Sequence, residues 1–367
     1  MTPVWLACLL YGCGNDNELA PVIDSIRAEG GSVILDDQGR IEEVDLSSTK
    51  ATDTQLGDLG TQANLQRVYL NGTSITDMGM GYLANCVDLR ELHIGHTKIG
   101  NNGVAAMATF QNLEILLAGS TKISDAGAQS IGMLPSLKVL DLQRTRVSDA
   151  GMNHLKPLTN LKELILAGNR ITANGLEHLG KLAALRQLDL SYNRNCGGGL
   201  QHLANLHRLE SLNLTYIQAQ DAHLKHLSGL ASLKQLTLAN NPITDAGVKE
   251  LQPLDKLETL NLNNTKVTDT GLVHLKEMNL KELTIPKSAQ TDLGLKHYLA
   301  AIEPRSVLDL RGWGGVTDAG LVHLKGLTKL TYIDLRRTQV TGAGIAELKK
   351  ALPKPYIEEA QGRHQAE

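Results

Sequence analysis

From Ile41 onward the sequence repeats itself every 24 residues, with units opening at 41, 65, 89, 113, 137, 161, 185, 209, 233 and 257, and then at 280, 305 and 330. A period of this length is the signature of a solenoid, in which no unit can bury its apolar face alone and each covers its neighbour. It also settles the question of size. A single core stops growing at roughly 250 to 300 residues, whereas stacked repeats let 367 residues form one array.

Within a unit such as LKVLDLQRTRVSDAGMNHLKPLTN, Leu137 to Asn160, apolar residues at the fourth and sixth positions flank a polar fifth. That alternation predicts a strand with one buried face. Ser148 then stands where a helix N-cap belongs, and Asp149 falls in the first turn, where the helix dipole favours a carboxylate. Met152, Leu155 and Leu158 give the short helix an inward stripe. A glycine recurs in that first turn, from Gly79 to Gly344, which is expected where neighbouring backbones crowd. Strands stack at about 4.8 Å and helices at about 8 to 10 Å, so the array is expected to curve with its strands inside.

The LxxLxL opening, the Thr or Asn that follows it and the ITDAGL-like segment, seen again in LETLNLNNTKVTDTGLVHLKEMN from Leu257 to Asn279, resemble the leucine-rich-repeat family, in particular its ribonuclease-inhibitor-like and F-box-associated branches. The resemblance implies an α/β fold: a right-handed leucine-rich-repeat solenoid, or horseshoe, with a parallel sheet on its concave face and short helices on its convex face. It also implies a binding scaffold without cofactor or enzymatic activity. The segment from Gly14 to Gly31 is too short for the helical F-box, so that branch's function is not expected to transfer.

Residues 1–13 hold a short apolar run, VWLACLL, ending at Leu10-Tyr11-Gly12-Cys13. This resembles a bacterial lipoprotein signal with its lipobox, which implies acylation at Cys13, a membrane anchor there and a place in the cell envelope; it lacks the usual Lys or Arg ahead of the run, and a cytoplasmic protein is the alternative. Residues 14–40 are expected to form an N-terminal cap, a helix over Glu18 to Glu29 followed by the start of a hairpin running from Ser32 to Leu46. Residues 41–352 form the array of about 13 units, and 353–367 a C-terminal cap and tail.

The formal charge of -3 supplies no general basic field, which argues against nucleic-acid binding. Four cysteines include no CxxC pair, so neither a zinc site nor a disulfide framework is indicated. His154, His178, His202, His226, His274, His297 and His323 share one helical position, yet helices about 8 to 10 Å apart hold most such pairs too far apart to share a zinc ion, and they read as half-exposed consensus residues. Cys196, beside Gly197, Gly198 and Gly199, lies six residues from His202 and on another side of the helical wheel, which disfavours a nucleophilic pair.

The third, fifth, seventh and eighth positions of each unit are expected to face out of the sheet. They place Tyr69, Ile115, Leu117, Val139 and Ile165 outward, rimmed by His93, Asp141 and Arg144 and extended by Tyr192 and Tyr216. An outward apolar patch of this kind predicts a protein ligand on the concave face. A carbohydrate held by the tyrosines and asparagines is the alternative, and a structural spacer a third reading. A second cluster, Asp309, Arg311, Asp334, Arg336 and Arg337 around Trp313, predicts an exposed aromatic anchor near the carboxyl end.

Overall fold

The computed structural model describes residues 16–303 and 305–359, in two compact units, one up to Val147 and one from Ser148. The lipobox reading at Cys13 lies outside the described residues.

The first unit opens with helix α1, Asp16–Ala28, and a hairpin of β1, Ser32–Leu35, and β2, Ile41–Asp45. Asp36 accepts the backbone N–H groups of Gln38 and Arg40, and Gly39 turns the chain at φ 78°, a left-handed conformation suited to glycine. From β2 the strands run parallel in chain order: β3, Arg67–Tyr69; β4, Glu91–His93; β5, Ile115–Leu117; and β6, Val139–Asp141. The second unit continues the pattern with β7, Glu163–Ile165; β8, Gln187–Asp189; β9, Ser211–Asn213; β10, Gln235–Thr237; β11, Thr259–Asn261; and β12, Glu282–Thr284, again parallel in chain order. A separate three-stranded sheet holds β13, Val307–Asp309; β14, Tyr332–Asp334; and β15, Tyr356–Glu358. The pairing of β15 with β14 shows that residues after Pro353 add a strand in register with the repeats. This is an α/β repeat solenoid.

Every strand step is one repeat, so the central leucines Leu92, Leu116 and Leu140 stack in the first unit and Leu164, Leu188 and Leu212 in the second, all 1% exposed or less. Fully burying one such side chain contributes roughly 1.5 to 3 kcal/mol, so the layered leucines make up the core that aromatics fill in other folds.

The helix side is joined by a different device. The first-turn aspartate does more than complement its own helix dipole: it accepts hydrogen bonds from a threonine of the following repeat, in most repeats the N-cap residue of its helix. Asp53 takes the Thr76 amide at 2.8 Å and its hydroxyl at 2.6 Å. In the second unit the same pairs are Asp149 with Thr172, Asp221 with Thr244, Asp245 with Thr268, Asp292 with Thr317 and Asp318 with Thr341. This corrects the account of the recurrent glycine. A Cβ on Gly79 would lie 2.5 Å from Asp53 Oδ1, and one on Gly247 2.4 Å from Asp221 Oδ1, so a carboxylate rather than a backbone usually fills the space. Where Ala173 replaces the aspartate, backbones do close up: a Cβ on Gly199 would meet the Ala173 carbonyl oxygen at 2.6 Å.

Candidate binding surface

In the first unit the register sets two rows side by side on the outward strand face. The third positions run Glu43, Arg67, Glu91, Ile115, Val139, and the fifth positions Asp45, Tyr69, His93, Leu117, Asp141. Tyr69 and His93 meet edge to face with ring centroids 4.7 Å apart, and His93 Nε2 lies 2.8 Å from Glu91 Oε1. Ile115, Leu117 and Val139 are neighbours in these rows and half-buried, each partly covered by the strands beside it. Arg144 is exposed. Asp141 belongs elsewhere: it is 8% exposed, and its carboxylate accepts the Gln143 amide at 2.7 Å and side chain at 2.9 Å, so it is a structural residue and not part of an open rim.

That bond recurs. Asp45, Asp189, Asn213, Asn261, Asp309 and Asp334 each accept, from the fifth position, the backbone N–H two residues on, capping the turn that leaves the strand. Leu117 and Ile165 occupy the same position and have no acceptor to offer. A capped turn of this kind is worth about 1 kcal/mol. These two repeats have an outward aliphatic side chain in its place.

The eighth position is left-handed in every repeat but the one opening at 280, at Ser48, Gly72, His96, Ser120 and Arg144 in the first unit and at Gly168, Tyr192, Tyr216, Asn240, Asn264, Gly312 and Arg337 in the second. Gly and Asn adopt this conformation readily, while a bulky side chain there is an outlier that costs roughly 1 to 3 kcal/mol. Tyr192 at φ 59° and Tyr216 at φ 56° are such outliers. They are 59% and 38% exposed, their rings lie 5.9 Å apart, and the Arg194 guanidinium sits 5.5 Å over the Tyr216 ring. Ile165 is half-buried on β7, two strands before the Tyr216 repeat.

The second predicted cluster is overturned. Trp313 is only 8% exposed and packs edge to face on Tyr298 at 5.1 Å, because the Gly312 turn folds the indole into the core. Asp334 is buried and held by Arg336, which also pairs with Glu358 at 2.9 Å. The seven aligned histidines are all half-buried, with His297 Nδ1 2.8 Å from the Asp269 carbonyl oxygen. No group of three His, Cys, Asp or Glu residues among the described residues could hold a metal ion. Cys86 and Cys196 are free and buried; burial pushes the Cys86 thiol up to about 11, and burial with Asp149 nearby pushes Cys196 up to about 12, the reverse of an activated nucleophile. Among the described residues no helix is long and apolar enough to cross a membrane.

Strands that repeat in register, a layered leucine core and an outward face varied in every repeat define a solenoid scaffold whose architecture suits protein binding. The repeats are leucine-rich repeats: models described as leucine rich repeat match residues 135–194 and, separately, 85–108, 229–251 and 256–276. Comparison with curated proteins finds no match. Among solved structures the chain is similar to an internalin (inlF) from Listeria monocytogenes at 21% identity and TM-score 0.58, covering 95% of this chain and 96% of that one. It is also similar to a leucine-rich-repeat protein of Leptospira interrogans at 22% identity and TM-score 0.59, over 83% and 74% of the two chains. A third similar structure is the Arabidopsis receptor kinase HAESA ectodomain in complex with an IDA peptide hormone, at 17% identity and TM-score 0.58, over 95% and 70%.

Proposed function

We propose that this protein is a non-enzymatic recognition scaffold that binds a polypeptide on its outward strand face. One observation carries the reading: at positions where the fold itself prefers Asp, Asn or Gly, the chain has Leu117, Ile165, Tyr192 and Tyr216. Each substitution gives up local stability and presents apolar area, and tyrosine in particular offers contact area with little rotamer entropy. The HAESA ectodomain, similar in fold, is in complex with a peptide hormone, which supports the choice of ligand class. Anchorage through Cys13 and a place in the cell envelope accompany this reading and rest on the sequence motif alone.

The test is a displayed-peptide selection against the full chain, followed by affinity measurements with synthetic peptides. Selected peptides should lose at least about tenfold in affinity, roughly 1.4 kcal/mol, to Leu117→Asn in one variant or to Tyr192→Asn with Tyr216→Asn in another. Peptides that bind all variants equally would remove this face from consideration.

A further inference from the structure

The tenth position of the repeat lies at the end of the turn that leaves the strand, and in the first unit it holds Lys98, Lys122 and Arg146 in three successive repeats. Their loops are locked in step: the Lys98 amide donates to the Ile75 carbonyl, Lys122 to Ile99 and Arg146 to Ile123, at 3.1, 2.9 and 2.8 Å. Ladder spacing of this kind sets successive residues about 4.8 Å apart. All three side chains are exposed, as are Arg144 and His96 on the same loops, and none of the three forms an ion pair among the described residues. Residues 95–100, 119–124 and 143–147 contain no Asp or Glu. Of the carboxylates near these loops, Asp77 accepts the Gly100 amide at 2.6 Å and Asp141 accepts from Gln143, while Asp125 and Asp149 follow the second and third loops in sequence, three residues after Lys122 and Arg146. Elsewhere in this unit cations at the second position are paired across repeats, as Arg90 and Lys138 are with Glu114. The tenth-position row is therefore a line of exposed cations that no ion pair ties down among the described residues, on a protein whose net charge is -3.

We infer that this row binds a linear anionic polysaccharide, a carboxylated or sulfated chain. Three features select that class. The cations are close-set and rigidly spaced, which suits a stiff chain bearing charge on successive rings. An extended acidic peptide presents side chains to one side only every second residue, about 6.6 Å apart, and so falls out of step with a row at about 4.8 Å. Single-stranded nucleic acid needs aromatic platforms for its bases, and no Phe, Tyr or Trp lies on these loops. Arg146 adds a fork that matches a carboxylate or sulfate with two parallel hydrogen bonds. The row lies on the loops, off the strand that carries Leu117, so the inference does not depend on the polypeptide reading.

The experiment measures affinity of the full chain for heparin, polyglutamate and oligo-dT across a salt series. The test variant combines Lys98→Gln, Lys122→Gln and Arg146→Gln; a control of equal charge change combines Lys225→Gln, Lys249→Gln and Lys256→Gln, all exposed in the second unit. Native circular dichroism and melting temperature verify that both remain folded. Heparin should bind the parent best, and the test variant should lose about tenfold or more in affinity with a shallower salt dependence, while the control stays within about twofold. An equal loss in the control, no heparin binding by the parent, or tighter binding of polyglutamate or oligo-dT would each overturn the inference.

Discussion

Replacing Ile165 by asparagine should leave stability almost unchanged, although asparagine in a strand is ordinarily unfavourable. The template is Asn213, which accepts the Thr215 amide at 3.1 Å and hydroxyl at 2.8 Å while donating to Asp189 Oδ2 at 3.0 Å. Ile165 is the other neighbour of Asp189 in the register. Ile165→Asn therefore places an acceptor below the Ala167 amide, worth about 1 kcal/mol, and a donor beside a carboxylate, worth about 1.5 kcal/mol. Against these stand about 1 kcal/mol of lost partial burial and up to about 1 kcal/mol of strand preference. The balance lies within about 1 kcal/mol of zero on these magnitudes. The same change at fully buried Leu164 leaves an amide without partners in the core and should destabilise by more than about 4 kcal/mol. Urea unfolding followed by circular dichroism reads both. A loss above about 2 kcal/mol for Ile165→Asn would refute the view that the fifth position prefers a capping residue.

Other consequences follow from the same geometry. Gly247→Ala should destabilise by about 1 to 3 kcal/mol, because its methyl meets the Asp221 carboxylate, but much less in an Asp221→Ala background, where only the Ile243 methyl still crowds it at 2.9 Å; additivity within about 0.5 kcal/mol in the double-mutant cycle rules this out. Burial raises the Asp245 pKa, but hydrogen bonds from the Thr268 side chain and amide and from Thr270 outweigh it and hold the group below its ordinary 3.8. A depressed carboxylate contributes stability above its unfolded pKa and loses it as pH falls through the folded value. The difference in stability between parent and Asp245→Asn should thus be constant above about pH 5 and shrink below pH 4, and a gap that widens with acid contradicts the assignment. Cys86 and Cys196 should resist a thiol reagent in the native protein at pH 8 and react only at the rate of unfolding; rapid native labelling disproves their burial.

The repeat boundaries, the strands and the N-cap threonines are legible in the sequence because each recurs at a fixed offset, and a misread unit is corrected by its neighbours. What stays hidden is what one repeat does to the next. Asp53 looks like a residue favouring its own helix, since the Thr76 amide it accepts lies 23 residues on and only stacking brings the two together. Trp313 looks like a surface anchor because arginines and glycines surround it in sequence, and only the Gly312 turn reveals that it points inward. The outward residues are partly legible: Leu117 and Ile165 stand out by alternation, but their half-burial depends on cross-strand neighbours. The cationic row at Lys98, Lys122 and Arg146 is visible in the aligned units without coordinates, at a position beyond the strand where outward-facing residues are not sought. That these cations form no ion pair among the described residues becomes plain only once the loops are in place.

The aspartate that bonds the next repeat's threonine has a bearing on how such a chain can change in length. A repeat of this kind carries the carboxylate for its successor and the amide and hydroxyl for its predecessor, so a duplicated copy arrives with both halves of the joint. Insertion within either unit then needs no newly evolved interface, and unequal exchange between gene copies can lengthen or shorten the array one turn at a time. Ala173 is one place where that interchangeability fails: Gly199 has closed on a backbone rather than a carboxylate, and a repeat with aspartate at that position could not be set before it without displacing the chain. Variation in repeat number should spare that junction while accumulating on either side of it.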